Sequence, residues 1–140
     1  MIVQQLEKGC KDNIQVAERY YSILSAINNL CLTDREIQLV AFTAVRGSIT
    51  YTSVREEFCA KYGSSFPTIN NIVAKLKKSK IFVKSGKYIV VNPVIALDFS
   101  KPLMLQITLT IQENGSKRET LKYASEGMVN KEGKPEAVNS

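Results

Sequence analysis

The chain has 140 residues, 44% of them hydrophobic and 23% charged, which is the make-up of one ordinary globular domain with a single core. It contains no histidine, so the commonest general base and metal ligand are missing. No apolar run approaches the roughly 20 residues needed to cross a bilayer, and the formal net charge is +6.

The N-terminal residues have neither a basic start nor an apolar stretch, so no secretory signal is expected. From there a helix is predicted over residues 12–30, where Ile14, Ala17, Tyr20, Tyr21, Leu24 and Ile27 recur at helical spacing. Thr33, Asp34, Arg35 and Glu36 form a capping box that announces a second helix, and Gly47 ends it. Residues 48–52 are rich in β-branched side chains and read as a short strand or extended connector. A second box, from Ser53 to Glu56, is expected to open a short third helix that Gly63 closes. Pro67 then sits in the first turn of a fourth helix over 66–79. Its Ile69, Ile72, Val73 and Leu76 fall at i, i+3, i+4 and i+7 and mark the buried face. That leaves Pro67, Thr68, Asn71, Ala74, Lys75 and Lys78 pointing the other way.

Residues 81–84 and 87–91 are strand-like and joined by Ser85 and Gly86, which reads as a hairpin with a two-residue connection. Residues 94–99 are apolar but too short to assign. Leu103, Leu105, Ile107, Leu109 and Ile111 alternate with more polar neighbours through Gln112, the strongest period-two pattern in the chain and a predicted strand. Residues 113–140 are polar and cannot order themselves by burial alone, so they are expected to be flexible or held by a partner.

The charge is unevenly placed. Residues 1–60 and 113–140 are each close to neutral, whereas residues 61–112 hold eight lysines against the single acid Asp98, a net +7. From Lys61 to Lys87 there is no acid at all. A one-sided run of this kind over consecutive elements is the electrostatic footprint of a polyanion binder. An AT-rich genome would also enrich lysine, asparagine and isoleucine, and lysines keep a surface soluble.

The order helix, helix, short strand, helix, turn, basic helix and hairpin over residues 32–93 resembles the winged helix-turn-helix superfamily. Residues 86–93, which end in Asn92 and Pro93 after Tyr88, look like the wing endings of some phage and plasmid replication or regulatory proteins. The resemblance implies an α+β fold in which 53–62 is a positioning helix, 66–79 a recognition helix and 84–87 the wing tip. A recognition helix enters the major groove of duplex DNA while the wing touches flanking backbone or minor groove. On that reading Lys75, Lys78, Lys84 and Lys87 pair with phosphates, and Thr68, Asn70 and Asn71 are short enough to probe base edges. The stretch has no arginine and so lacks the planar fork that reads guanine, which points to low specificity.

Residues 1–112 are thus expected to form the domain, with an extra C-terminal strand, and 113–140 a tail. Left open at an edge, the 103–112 strand would be an aggregation hazard. It is expected to pair with the hairpin, with residues 1–6, or with a second copy, the first helix completing a homo-oligomer contact. The alternative to DNA binding is a structural or assembly protein, such as a virion component, that reuses the fold for protein contacts and holds the tail through a protein partner. No cofactor is expected. The three widely spaced cysteines, Cys10, Cys31 and Cys59, read as small buried hydrophobes in a reducing cytoplasm, of a host cell if the protein is viral. Catalysis is not expected either: Glu56 and Glu57 diverge on a helix, and no phosphate-cradling glycine loop or nucleophile elbow occurs. Tyr20, Tyr21 and Phe42 could line a small pocket, but aromatics on core-facing helices usually pack.

Overall fold

The computed structural model describes residues 9–111 and is α+β, with four helices followed by an antiparallel two-stranded hairpin. Gln112, the tail and the proposed N-terminal pairing residues lie outside the described residues. Helix α1 (Asn13–Ile27) is capped by the Asp12 carboxylate, which accepts from the Gln15 N–H at 2.8 Å. It ends earlier than 30 because Asn29 and Cys31 both take left-handed backbone conformations that no helix continues through.

Helix α2 (Asp34–Arg46) carries the complete capping box: the Thr33 hydroxyl accepts from the Glu36 N–H at 3.2 Å, and Glu36 Oε1 accepts from the Thr33 N–H at 2.9 Å. Gly47 stops it at φ 94°, a conformation that would strain any other residue. The second box does not form. Helix α3 (Thr52–Tyr62) starts two residues earlier than the box predicts, with Tyr51 at the cap position and no side-chain cap bond, which puts Ser53 inside the first turn. The cause is upstream: the Ser48 hydroxyl accepts from the Thr50 N–H at 3.0 Å, and the Ile49 N–H donates to the Ile89 carbonyl at 3.1 Å. These bonds turn the chain before Ser53 is reached.

Helix α4 (Phe66–Lys78) is capped by Ser65 and buries Ile69, Ile72, Val73 and Leu76, the predicted face. Strands β1 (Phe82–Ser85) and β2 (Tyr88–Val91) pair antiparallel with Ser85 opposite Tyr88, so the two-residue connection is Gly86 and Lys87 rather than Ser85 and Gly86. Gly86 has φ 65° while Lys87 stays at negative φ, the pattern of a II′ turn, whose twist matches that of the flanking strands. The segment 48–50 lies along β2 through the Ile49 bond and a second one from the Ile89 N–H to the Thr50 hydroxyl at 2.7 Å. A short 3-10 turn (Pro93–Ile95) follows, and the Tyr21 hydroxyl donates to the Ile95 carbonyl at 2.8 Å, tying it to α1.

The core joins all of these elements. Phe42 and Phe58 meet edge to face at 5.4 Å between ring centres, and Leu39, Ile49, Ile69, Leu76, Ile81 and Phe82 close around them, each almost wholly buried. Each large side chain sealed in this way contributes about 1.5–3 kcal/mol. Tyr21 and Phe42 are part of this packing. Burial holds the Tyr20 hydroxyl up at a pKa of about 12, and it raises that of Tyr21 further, with help from the neighbouring Tyr20.

Two expectations fail here. Residues 103–111 form no strand and every one of them is exposed, because no backbone edge among the described residues lies alongside to complete a ladder. The cysteines are not fully buried: Cys31 is exposed on the left-handed connector and Cys10 is partly exposed, while Cys59 packs partly buried against the core. No helix among the described residues is long and apolar enough to cross a membrane.

Candidate nucleic-acid interface

Helix α4 has its four apolar residues on the core, so its opposite ridge runs through Pro67, Asn71, Ala74 and Lys78, all exposed. Thr68 and Lys75 lie on one flank of that ridge, and Asn70 and Lys77 on the other. Every residue singled out from the sequence, namely Thr68, Asn70, Asn71, Lys75, Lys78, Lys84 and Lys87, is exposed. Their immediate partners, however, set them apart from one another.

Lys75 is drawn back to the body of the protein. Its ammonium bonds Glu36 Oε2 at 2.8 Å, and Glu36 is only 6% exposed. Burial raises the Glu36 carboxyl, but the bond from Lys75 and those from Thr33 outweigh it and hold the group below the usual carboxylate range. Lys75 thus holds the second oxygen of the carboxylate whose first oxygen caps α2, and its charge is matched by that carboxylate. Lys77, Lys78, Lys80 and Lys84 pair with no acid among the described residues.

The three short polar side chains also differ. The Thr68 hydroxyl sits 3.0 Å from that of Ser65, within the cap. Asn70 accepts through Oδ1 from Arg55 Nη1, and the Arg55 Nε donates to the Ile49 carbonyl at 2.9 Å. Asn71 makes no side-chain hydrogen bond among the described residues and lies on the outermost ridge.

Arg55 is the residue that sequence reasoning missed. It sits on α3, fifteen residues before Asn70, outside the acid-free run, and only the packing of α3 on α4 brings its guanidinium to that flank. No acid among the described residues neutralises it, whereas the nearby Arg46 is clamped by Glu57 through two bonds of 3.0 and 2.6 Å.

The hairpin adds a second missed feature. The Tyr51 and Tyr88 hydroxyls are 3.0 Å apart with ring centres at 5.7 Å, and the Lys87 ammonium lies 5.5 Å from the Tyr88 ring centre. Only one of the two phenols donates within the pair, so one O–H proton remains for an outside acceptor. The hydrogen bond with Tyr88 is the main reason the Tyr51 phenol is raised above its usual range. The pair ties the hairpin to the start of α3 and places two phenols beside an ammonium, groups suited to phosphate oxygens and to ring stacking.

No match to this chain was found among protein-family models, curated proteins or solved structures.

Proposed function

We propose that this protein is a winged helix-turn-helix protein that binds duplex DNA, with α4 as its recognition helix and the hairpin as its wing. The observation that carries the reading is the exposed, acid-free set Lys77, Lys78, Lys80, Lys84 and Lys87 on α4, the hairpin and the turn between them, with the Arg55 guanidinium beside Asn70. The element order supports it too, because the 49–50 segment runs along β2 as the first strand of a winged helix would. In the major groove, Asn71 would meet base edges, where asparagine pairs best with adenine. Lys78, Lys84 and Lys87 would take phosphates, while Lys75 contributes to folding rather than to binding. Lysine contacts give affinity that is strongly salt-dependent and weakly sequence-dependent. A phage or mobile-element regulator or replication accessory is the class of protein that fits.

The test is binding to mixed-sequence duplex DNA across a salt series. The triple variant Lys78→Ala, Lys84→Ala, Lys87→Ala should lose affinity while keeping its circular dichroism spectrum, and its log K against log salt slope should flatten by about 0.9 per lost contact. Affinity and slope equal to those of the parent protein would reject the interface. A second reading, a structural or assembly protein such as a virion component, draws on the exposed apolar stretch 103–111. It gains ground if no DNA is bound near physiological salt.

A further inference from the structure

Residues 103–111 hold five aliphatic side chains at alternate positions, Leu103, Leu105, Ile107, Leu109 and Ile111, and no charge. Leu109 and Ile111 are 85% and 91% exposed, and the other three are 41–51% exposed. Together with Ile23 and Ile27 of α1, 40% and 47% exposed, this odd-numbered face leaves on the order of 600 Å² of apolar side chain in water, a large part of the roughly 800 Å² per partner that a specific interface buries. Its backbone is in no ladder, so its N–H and C=O groups are open to a partner strand. The stretch leaves the fold just after the anchor of Ile95 on Tyr21 of α1, and α1 itself exposes Ile23 and Ile27, one turn apart on one face.

We infer that residues 103–111 are a dimerisation strand whose partner is the same stretch of a second copy. The two strands run antiparallel about a two-fold axis at Ile107, and the apolar face of the ribbon covers Ile23 and Ile27. The alternation argues for this partner. In an antiparallel register with Ile107 opposite itself, odd positions face odd positions, so all the aliphatic side chains of both copies lie on one face. A two-fold contact needs one patch that is complementary to itself, and a charge-free strand with one apolar face meets that condition. A two-stranded ribbon is marginal by itself, and the exposed isoleucines of α1 supply the apolar surface it needs. If α4 reads DNA as proposed above, the two-fold sets two such helices on inverted half-sites. That consequence rests on the DNA reading, and the pairing does not.

The experiment uses the full chain without DNA. Sedimentation equilibrium at micromolar concentration should show a dimer. Ile107→Lys and Ile107→Glu each set like charges across the axis and should raise the dissociation constant by at least about tenfold. Mixing the two variants should restore a dimer, because the axis then carries opposite charges. Residue 107 lies outside the core, so both variants should keep the parent circular dichroism spectrum. A monomeric parent protein overturns the inference, and so does a dimer that both substitutions leave intact or that the mixture fails to rescue. A dimeric parent protein that binds no DNA in the separate salt series would instead count against the DNA reading alone.

Discussion

The hairpin and the stretch 103–111 are both runs of β-forming residues, yet only one of them is a sheet. Each hairpin strand has four residues and an uneven pattern, and both are ordered. The turn at Gly86 returns β2 onto β1, the 48–50 segment bonds its other edge, and Phe82 and Val91 are sealed in the core. The later stretch has the cleaner alternation and none of these supports. A strand is a relation between two backbones, and alternation says which side chains would share a face without supplying the second backbone.

The sharpest way to break this comparison is to remove one side chain from each region. Phe82→Ala opens a hole in the closed core and should cost about 3–5 kcal/mol, a large share of the stability of a small domain. Leu109→Ala removes a side chain that is already 85% exposed and should change stability by no more than about 0.5 kcal/mol. Urea unfolding at high dilution, where a dimer would dissociate, compares the two. Similar losses would mean that residues 103–111 are packed within the monomer.

The same contrast between held and unheld groups separates the lysines, and here the effect is smaller. Glu36 titrates lower in the folded protein than in an unfolded chain, so its contribution to stability is present above the ordinary carboxylate range and is lost as the pH falls through the folded value. Lys75→Met should cost about 1 kcal/mol at neutral pH, with the exposure of the lysine keeping the figure modest. The gap between variant and parent should close in acid. Lys78→Met, with no acid beside it, should change stability little at any pH. Thermal melts at neutral and acid pH check both, and a Lys75 effect that persists in acid would reject the role given to the pair.

The contrast also separates what is legible in the amino-acid sequence from what is not. The α2 capping box, the Gly47 and Gly63 stops and the buried face of α4 all depend on residues within about one helical turn, and all appear as expected. The misplaced features depend on distant partners. The start of α3 is set by Ile89, forty residues on from Ile49, the Arg55–Asn70 contact by helix packing, and the fate of Lys75 by Glu36 on another helix. Charge arithmetic therefore locates the run of lysines along the chain, but not the Glu36 carboxylate of another helix that Lys75 pairs with.

The smallest expected effect concerns the tether that the hairpin has and the 103–111 stretch lacks. Tyr51→Phe keeps the ring against Tyr88 but removes one hydroxyl of an exposed pair, so global stability should fall by no more than a few tenths of a kcal/mol. The local consequence should be easier to see. The Tyr51 pair and the Thr50 bond to the Ile89 N–H both hold β2 to the segment before α3, and the first of them reaches closest to the turn. Amide exchange at Lys87 and Tyr88 should quicken in the variant while that of Phe82 and Val91, deep in the core, stays at the parent rate. Equal acceleration at all four would show that the hairpin opens as one unit and that the phenol pair contributes to its whole length rather than to its tip.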